Sequence, residues 1–515
     1  MSLLHDVPSA VAWLRASGAT QLVTDSRKVL PSHKEKIAFI AWPGAAVDGR
    51  AFIPTALKGG AVAALMETEN APATLLDMPS TRAYAGLKAA SGSIASEFYG
   101  KPSEQLSVVA ITGTNGKTSS SWWLAEALAA LPAPHTQICA VVGTLGTGLI
   151  SAIENNGLTT PDPVLLQARL KAFVDMGCKA VALEASSIGI AEGRLSGTQV
   201  HTAVFTNFTQ DHLDYHGTME AYWQAKAALF DWPYLKAAVI NIDDAQGLTL
   251  VDKLQERITS KPIEIWTFAM SHAARLRAQN IVMTTQGLAF DVVESTETHH
   301  LQTSLVGRYN VSNLLGVIAS MRSLGVPLAL SVKACAAITP VPGRLEVVSQ
   351  AAAPLTLIDY AHTPDALEQV LLALREMSDA RGGMLWCVFG CGGNRDATKR
   401  PMMGATAKRF ADKVVITSDN PRSENPNTIV SQILLGIGED NSVQVQVDRA
   451  LAISETIAQA KAKDVIVIAG KGHENYQEIA GVKTTFSDQA HARAALANLT
   501  PSPLMGEGWG EGAAR

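Results

Sequence analysis

The stretch VVAITGTNGKTSSSWWLAEAL, residues 108–128, has the layout of a phosphate-binding loop. Its first residues, Val108–Ile111, form an apolar run that predicts a β-strand. The polar segment Gly113–Thr118 follows, and after it comes an apolar pattern at helical spacing. Backbone N–H groups of such a loop, together with the N-terminus of a helix, bind phosphate. We therefore predict a strand, a phosphate-binding loop and a helix in this order.

The loop is shorter than the standard G-x-x-x-x-G-K-[ST] pattern. That pattern would place its first glycine at position 111, where the chain has Ile111, and the first loop glycine is Gly113. Lys117 can still neutralise phosphate oxygens, and Thr118 can ligate Mg²⁺. The alternative is a glycine-rich turn without a ligand. The placement of glycine, lysine and threonine where phosphate chemistry needs them favours the binding site.

Length and composition predict a multidomain α/β protein. A chain of 515 residues corresponds to about two to four domains. Hydrophobic residues make up 47% and charged residues 17%, which is enough apolar material for sizeable cores. A net charge of -5 and a pI near 6.2 argue against nucleic-acid binding as the main function.

The sequence also predicts a cytoplasmic location. We find no apolar stretch of about 18 residues that would span a membrane. The N-terminal segment is interrupted by His5, Asp6 and Arg15, which makes a poor secretory signal. The five cysteines are odd in number and, except for Cys387 and Cys391, far apart. We expect them to be buried and reduced.

Recurring strand-like runs predict three α/β domains and a tail. The runs LSVVAIT, KAVALEAS, HTAVFTNF and KAAVINID recur before residue 343, mostly separated by helical patterns, as in a parallel sheet. The segment ITPVPGR (338–344) indicates a boundary, and PLTLIDYA, GMLWCVFG, DKVVITSD and KDVIVIAG form a second set after it. The predicted domains are 1–105, 106–343 and 344–500, followed by a disordered tail, 501–515.

Further polar residues follow predicted strands of the central domain. Glu184 ends the run VALE, where its carboxylate would reach the sheet edge that carries the phosphate loop. His212 lies in a His/Asp-rich loop directly after another strand. Lys226 lies on the next helix, which Thr218 is expected to cap. Each has an ordinary alternative: a solvated charge, a surface turn, and a lysine that extends past apolar surface.

Five motifs together resemble those of the Mur ligases, which are ATP-dependent amide-forming enzymes of cell-wall precursor synthesis. They are TGTNGKTS, EASS, TNFTQDHLDYHGTMEAYWQAK, GRYNVSN and DYAHTPDAL. The resemblance covers about residues 20 to 490, and the shortened loop is this family's form of the phosphate-binding motif. Within the family, the sequence is most similar to the member that adds meso-2,6-diaminopimelate to UDP-N-acetylmuramoyl-L-alanyl-D-glutamate.

The resemblance implies a three-domain fold: a uridine-nucleotide domain, a central ATPase-like parallel sheet and a Rossmann-like domain that binds the amino acid. It implies ATP and Mg²⁺ as cofactors. It implies meso-2,6-diaminopimelate and UDP-N-acetylmuramoyl-L-alanyl-D-glutamate as substrates. It implies neither nucleic acid nor membrane as a partner, and we expect a monomer. In the implied reaction, ATP converts a substrate carboxylate into an acyl phosphate, which the incoming amine attacks.

The family implies roles for individual residues. The implied catalytic residues are Lys117, Glu184, His212 and Lys226, and Lys226 is implied to be carbamylated. Mg²⁺ is held by Thr118, Glu184, His212 and the Lys226 carbamate. The nucleotide contacts are Gly113, Thr114, Asn115, Gly116, Lys117, Thr118, Asn313, Arg344 and Asp359.

Substrate contacts are implied in the first and central domains. TDSR (24–27) resembles the uridine-binding edge, while the nearby Ala45, Ala46 and Val47 stand where some relatives have polar residues. The implied contacts are Thr24, Ser26, Thr159, Thr160, Ser186, Glu192 and Arg194. Glu192 departs from the glutamine of some relatives and places a carboxylate near an anionic substrate.

The last domain is expected to select the amino acid. A guanidinium suits bidentate recognition of a carboxylate, and diaminopimelate differs from lysine by one distal carboxylate and in stereochemistry. The sequence D-N-P-R is the pattern of diaminopimelate-adding members, and Glu474 would hold the distal ammonium. The implied contacts are Arg395, Asp419, Asn420, Pro421, Arg422, Gly470 and Glu474.

Three other functions stay open at this point. The nearest is the lysine-adding ligase, and folylpolyglutamate synthetase is more distant. The sequences HLDYHG and DNPR favour the diaminopimelate-adding ligase over both. The third is a nucleotide-dependent switch or binding protein, which would use ATP without the UDP-sugar peptide.

Overall fold

The computed structural model describes residues 3–29, 35–44, 47–155, 157–257, 262–284, 287–348, 350, 352–438 and 442–499. The chain divides into two compact units, Met1–Thr339 and Pro340–Arg515. The predictions for Ala45, Ala46 and the tail 501–515 fall outside the described residues.

The first unit begins with a parallel sheet whose strands lie in chain order. The strands are β1 Gln21–Val23, β2 Ile37–Ala41, β3 Ala63–Glu67 and β4 Thr81–Tyr84. The helices are α1 Val7–Ala16, α2 Ile53–Lys58, α3 Ala73–Leu76 and α4 Leu87–Phe98. Strands β2 and β3 are buried throughout, and apolar clusters cover both of their faces. Continuous apolar runs such as KIAFIAW therefore form the strands that are covered on both sides.

A second, mixed sheet forms the centre of the first unit. Its strands are β5 Ser107–Thr112, β6 Cys139–Gly143, β7 Gly146–Leu149, β8 Ala152–Glu154, β9 Ala180–Glu184, β10 Thr202–Phe205, β11 Ala237–Asn241, β12 Glu264–Ala269, β13 Leu276–Thr284, β14 Gly287–Glu294 and β15 Glu297–Gln302. Among the described residues their order is β15-β14-β13-β12-β11-β10-β5-β9-β6-β7-β8. β5 is parallel to both of its neighbours, β9 and β10, so their carboxyl ends meet at one edge.

Eight helices of the described chain accompany this sheet. They are α5 Lys117–Ala130, α6 Pro163–Asp175, α7 Ser187–Ala191, α8 Leu213–His216, α9 Met219–Ala227, α10 Ala245–Arg257, α11 Tyr309–Ser323 and α12 Leu328–Ala336. Helix α9 begins as predicted, because the Thr218 hydroxyl accepts a hydrogen bond from Ala221 N at 3.1 Å. This cap fixes the start of the helix that carries Lys226.

The second unit contains another sheet with parallel inner strands. The strands are β16 Glu346–Val348, β17 Leu355–Asp359, β18 Leu385–Phe389, β19 Lys413–Ile416, β20 Val443–Val445 and β21 Val465–Ala469, and a hairpin is formed by β22 Tyr476–Ile479 and β23 Val482–Thr485. Within the described residues the larger sheet has the order β16-β17-β21-β18-β19-β20. The helices are α13 Pro364–Arg381, α14 Lys399–Phe410, α15 Pro426–Leu434, α16 Arg449–Gln459 and α17 Asp488–Ala497.

The predicted α/β class with parallel sheets is confirmed, and each quoted apolar run after residue 105 forms a strand. The positions of the three-domain boundaries stay a prediction. No helix within the described ranges is long and apolar enough to cross a lipid bilayer.

Candidate active site

Two glycines give the phosphate loop its shape. Gly113 has φ 147° and Gly116 has φ 85°, in the half of backbone space that side chains rarely adopt. A Cβ at Gly113 would collide with Thr206 Oγ1, and one at Gly116 would collide with Asn313 Oδ1. The loop therefore needs glycine for both its backbone conformation and its close packing.

The loop is also fastened to the segment that follows β10. Asn207 Oδ1 accepts from Asn115 N at 2.8 Å, and Asn115 O accepts from Thr206 Oγ1 at 2.6 Å. Thr114 Oγ1 donates to Thr209 O at 3.0 Å. These bonds hold the loop open at the carboxyl edge of the sheet, just before the N-terminus of α5.

Lys117 and Lys226 converge on one carbonyl oxygen. Gly113 O accepts from Lys117 Nζ at 2.9 Å and from Lys226 Nζ at 2.7 Å. Lys226 is buried, 1% exposed, and its Nζ lies 4.3 Å from the centre of the Tyr222 ring. Burial, followed by the Lys117 charge, lowers the pKa of Lys226 well below its usual value, while Asp211 opposes the shift. Burial and the Lys117 charge thus both shift Lys226 toward the neutral amine relative to an exposed lysine.

The Glu184 carboxylate is oriented by three hydrogen-bond donors. Oε2 accepts from Thr118 Oγ1 at 3.0 Å and from Thr144 Oγ1 at 2.9 Å, and Oε1 accepts from Thr144 N at 2.9 Å. A Cβ at Gly143 would collide with Oε1. The structure therefore brings Thr118 and Glu184 together, as the sequence predicted.

His212 lies near Lys226 through a shared aromatic neighbour. Its ring centroid is 6.0 Å from that of Tyr222, the ring that faces Lys226 Nζ. Its backbone has φ 53°, which is uncommon for a residue with a side chain. Asp211 Oδ2 lies 3.5 Å from His212 Nε2. Asp214 is exposed, and His216 bonds Ser187 Oγ at 3.0 Å.

The predicted substrate residues of the central sheet form a second group beside Glu184. Thr160 Oγ1 donates to Glu184 O at 2.7 Å and lies 3.0 Å from Ser186 Oγ. Thr159 Oγ1 lies 3.1 Å from Thr144 Oγ1, and Arg194 Nη1 donates to Thr160 O at 3.0 Å. Thr160 and Arg194 thus have structural contacts of their own, which place both next to the predicted metal ligands.

Ser186 and Glu192 have partners within the protein. The Ser186 hydroxyl accepts from Gly189 N at 3.0 Å and caps α7. Glu192 pairs with Lys88 Nζ at 2.7 Å and accepts from Tyr215 OH at 2.6 Å. The Lys88 bond, followed by that of Tyr215, lowers the pKa of Glu192. The carboxylate in place of glutamine therefore has a local counter-charge.

The predicted uridine edge directly follows β1. Thr24 and Ser26 are half-buried, and Asp25 between them accepts from Arg27 N at 3.0 Å, which starts the short turn Ser26–Lys28. Val47 is 57% exposed.

Of the remaining nucleotide residues, Asn313 packs against Gly116 in the first unit. Arg344 and Asp359 belong to the second unit. The Arg344 guanidinium lies 4.4 Å from the centre of the Tyr360 ring. The buried Asp359 accepts from Leu345 N at 2.8 Å and Ala361 N at 2.7 Å. Burial raises its pKa, and the Arg344 charge opposes that shift.

The predicted amino-acid residues gather at the carboxyl ends of β19 and β21. Lys471 Nζ lies 3.0 Å from Asn420 Oδ1, 3.1 Å from Glu474 Oε2 and 3.5 Å from Asp419 Oδ1. Asn420 Nδ2 donates to Glu474 Oε2 at 2.8 Å. Gly470 has φ 115°, and a Cβ there would lie 3.1 Å from Asp419 Oδ2.

Arg422 and Arg395 flank Gly392. A Cβ at Gly392 would lie 3.0 Å from Arg422 Nη1 and 3.7 Å from Arg395 Cγ. Arg422 has φ 53°, and its Nη1 donates to Gly393 O at 2.6 Å. Pro421 just before it is buried. The two arginines that were predicted to contact substrate are thus close to each other.

Sequence reasoning missed three residues of these sites. Thr144 holds both Glu184 oxygens, Asp211 acts on Lys226 by its charge, and Lys471 connects three predicted residues. Thr144 lies outside the quoted motifs, whereas Asp211 lies inside TNFTQDHLDYHGTMEAYWQAK, directly before His212. Lys471 had a signal, because it stands between two glycines directly after a strand run.

No cluster of three or more His, Cys, Asp and Glu side chains that suits a metal occurs in the described part of the chain. The residues predicted to bind Mg²⁺ include two side-chain types, threonine and lysine, that such a cluster does not contain. They combine the Thr118 hydroxyl, the Glu184 carboxylate, His212 and the amine of Lys226. Hydroxyl and carboxylate oxygens suit Mg²⁺, and a neutral buried amine suits carbamylation, so these residues fit the group.

Known proteins resemble this chain over nearly its whole length. Residues 111–321 match the Mur ligase middle domain, and residues 343–472 match the Mur ligase, glutamate ligase domain. A relative from Acidovorax sp. (strain JS42), named UDP-N-acetylmuramoyl-L-alanyl-D-glutamate--2,6-diaminopimelate ligase, is 55% identical over 96% of this chain and 99% of its own length.

Two solved structures show the same fold. One of the same enzyme name has 36% identity and a TM-score of 0.63, covering 93% of this chain and 95% of that chain. The MurF ligase of Thermotoga maritima in complex with ADP has 16% identity and a TM-score of 0.62, covering 93% and 96%. The matches to both domains, together with 55% identity to a full-length relative, show that this chain belongs to the Mur ligase family.

Proposed function

We propose that this chain is the ATP-dependent ligase that joins meso-2,6-diaminopimelate to UDP-N-acetylmuramoyl-L-alanyl-D-glutamate in peptidoglycan precursor synthesis. The observation that carries the proposal is the 55% identity, over almost both full lengths, to a relative with that name. The grouping of Lys117, Glu184 and Lys226 around the phosphate loop supports it. The five cysteines are buried and unbridged, as in a cytoplasmic protein, and we place the reaction there.

ATP would bind at the loop Gly113–Thr118, and Mg²⁺ at Thr118, Glu184, His212 and carbamylated Lys226. When bound, ATP supplies the phosphoryl group that activates the substrate carboxylate, and Mg²⁺ supplies positive charge between two anions. Carbamylation of Lys226 would turn a buried amine into an anionic oxygen ligand. The depressed pKa of Lys226 supports this step, because only the neutral amine can form a carbamate.

The chain's own residues contribute charge and position. In the reaction, a substrate carboxylate oxygen would take the γ-phosphoryl group as the bond from the γ-phosphorus to the ADP oxygen breaks and ADP leaves. The amine nitrogen would then form a bond to the activated carbon and lose a proton, and the bond from that carbon to the phosphate oxygen would break, which releases phosphate. Lys117 would move from Gly113 O and Thr114 O onto phosphate oxygens and offset their repulsion of the carboxylate. Thr144 would keep Glu184 in its ligating orientation.

In the second unit, Arg422 and Arg395 would bind carboxylate and Glu474 would bind the distal ammonium of diaminopimelate. The position of both arginines beside Gly392 supports a carboxylate site. The lysine-adding ligase is the alternative, and it would leave Arg422 without a substrate carboxylate.

The test is product mass after incubation with ATP, Mg²⁺, the UDP-muramoyl dipeptide and either diaminopimelate or L-lysine. We expect one diaminopimelate adduct for each ADP released. Lys117→Ala is the matched inactive control. A lysine adduct alone would point to the alternative ligase. ADP release that is equal without the two other substrates would point to a nucleotide-dependent switch.

A further inference from the structure

A fully buried lysine stands at the centre of the proposed amino-acid site. Lys471 follows β21 and is 0% exposed. Its ammonium pairs with Glu474 at 3.1 Å and with Asp419 at 3.5 Å. A buried charge is retained only where partners compensate for the water it has lost, and here two carboxylates do so.

The same ammonium orients the Asn420 amide. Asn420 Oδ1 accepts from Lys471 Nζ at 3.0 Å and from Glu478 N at 3.0 Å. With its oxygen held on that side, the amide nitrogen faces Glu474 and donates to Oε2 at 2.8 Å. Lys471 therefore controls the placement of two groups that are proposed to meet the distal end of the substrate.

The charge of the cluster depends on this lysine. Lys471 carries one positive charge and Asp419 and Glu474 carry one negative charge each, which leaves a net charge of -1. Arg449 lies nearby, but it is paired with Asp488 at 2.7 Å and both are fully buried, so that pair adds no net charge. Without the Lys471 ammonium the cluster would carry a net charge of -2.

We propose that Lys471 determines amino-acid specificity by limiting the negative charge that faces the distal end of the substrate. This inference rests on the proposed function. Diaminopimelate ends in an ammonium and a carboxylate, with no net charge, whereas lysine ends in an ammonium alone. A more negative cluster attracts the lone ammonium and repels the added carboxylate. Lys471 thus works together with Arg422, which attracts that carboxylate directly.

The experiment compares kcat/KM for meso-diaminopimelate and for L-lysine in the wild type and in Lys471→Met. The specificity ratio is kcat/KM for diaminopimelate divided by kcat/KM for lysine. We expect this ratio to fall by about tenfold or more in Lys471→Met, through the KM of the amino acid, while the KM for ATP stays unchanged. Lys483→Met is the matched control. Lys483 Nζ lies 4.4 Å from the Tyr476 ring, which Lys471 approaches at 5.5 Å, but Lys483 is exposed. Its ratio should stay at the wild-type value.

A purely structural role for Lys471 would lower both kcat/KM values equally and leave the ratio unchanged, which would overturn the proposal. A ratio that rises would overturn it as well. A wild type that forms no diaminopimelate adduct would instead refute the proposed function, so the two failures are distinguishable.

A second pair of variants covers the case in which Lys471→Met does not fold. Lys471→Met combined with Glu474→Gln removes one charge of each sign and leaves the cluster at -1, as in the wild type. Its ratio is compared with that of Glu474→Gln alone, in which the cluster is neutral. A lower ratio in the double variant supports the proposal, and equal ratios overturn it.

Discussion

Two buried lysines of this chain have opposite surroundings. Lys226, in the first unit, has the Gly113 carbonyl, the Tyr222 ring and a second lysine, Lys117, around its amine. Lys471, in the second unit, has the carboxylates of Asp419 and Glu474 and the Asn420 amide. The side chains are equally hidden from water, at 1% and 0% exposure.

The difference shows how the fold assigns chemistry to one residue type. Where burial combines with a neighbouring cation, the ammonium is destabilised and the lysine becomes a reactive amine. Where burial combines with carboxylates, the ammonium serves as a fixed counter-charge. In a ligase of this family, the environment of Lys226 suits a carbamate in the phosphoryl-transfer site. The environment of Lys471 suits a site that selects a charged amino acid.

The largest expected effect belongs to Lys226. Lys226→Met should lower kcat by about 10⁴-fold or more, because neither an amine nor a carbamate oxygen remains at the proposed metal site. ADP release and product mass at saturating Mg²⁺ measure the effect. Lys253→Met, which removes a surface lysine paired with Asp231 at 3.0 Å, is the control and should keep full activity. Near-normal turnover of Lys226→Met would refute its catalytic role.

Arg422 should govern the choice of amino acid. The wild type should prefer meso-diaminopimelate over L-lysine by about 10⁴-fold, since a site built for a polar group strongly rejects an analogue that lacks it. Arg422→Ala should erase most of that preference, and Arg422→Lys should recover only part, because ammonium cannot form two parallel hydrogen bonds.

The measurement for Arg422 is kcat/KM for both amino acids. Arg493→Ala is a suitable control, since Arg493 lies in the same unit with 64% of its side chain exposed. If the Arg422→Ala variant keeps the preference, specificity lies elsewhere in the second unit.

Stability should separate the two buried lysines directly. Lys471→Met leaves Asp419 and Glu474 without their ammonium and should lower the free energy of unfolding by about 3–5 kcal/mol. Lys226→Met replaces an amine that burial already disfavours as a cation, and should cost less than about 1 kcal/mol. Urea unfolding of both variants at pH 7 tests this contrast. Equal losses would mean that the two environments do not differ as their contacts indicate.

The smallest effect is expected for a lysine that is paired but exposed. Lys88 pairs with Glu192 at 2.7 Å, with side chains 51% and 33% exposed. Because solvent screens this pair, Glu192→Gln should lower stability by only about 0.2–1 kcal/mol at pH 7.

The pH dependence of that loss follows from the lowered pKa of Glu192. The Lys88 and Tyr215 bonds stabilise the charged carboxylate, so its contribution is present above the ordinary value of 4.5 and is lost as pH falls through the lower folded-state pKa. Thermal melting over a series of pH values from 7 downward should therefore show a difference between the wild type and Glu192→Gln that is full above 4.5 and shrinks as the pH falls further. A difference that persists in acid would assign the effect to packing.

Local patterns were sufficient for the elements and for part of the site. The apolar runs after residue 105 became strands, the loop between β5 and α5 has its two glycines at positive φ, and Thr218 caps α9. These features depend on residues within a few positions of each other, where the periods of strand and helix and the geometry of turns apply. The motifs also indicated the ligase family, which the comparisons confirm.

The partners of charged groups were decided only by the tertiary structure. Glu184 meets Thr144 across 40 positions, Lys471 meets Asp419 across 52, and Lys88 meets Glu192 across 104. No period or spacing in the sequence encodes such pairs, because they form where strand order and helix packing bring distant segments together. The sequence by itself therefore predicted which residues carry chemistry. The fold decided which lysine lies beside a second lysine and which lies beside two carboxylates, since burial and neighbouring charges exist only after packing.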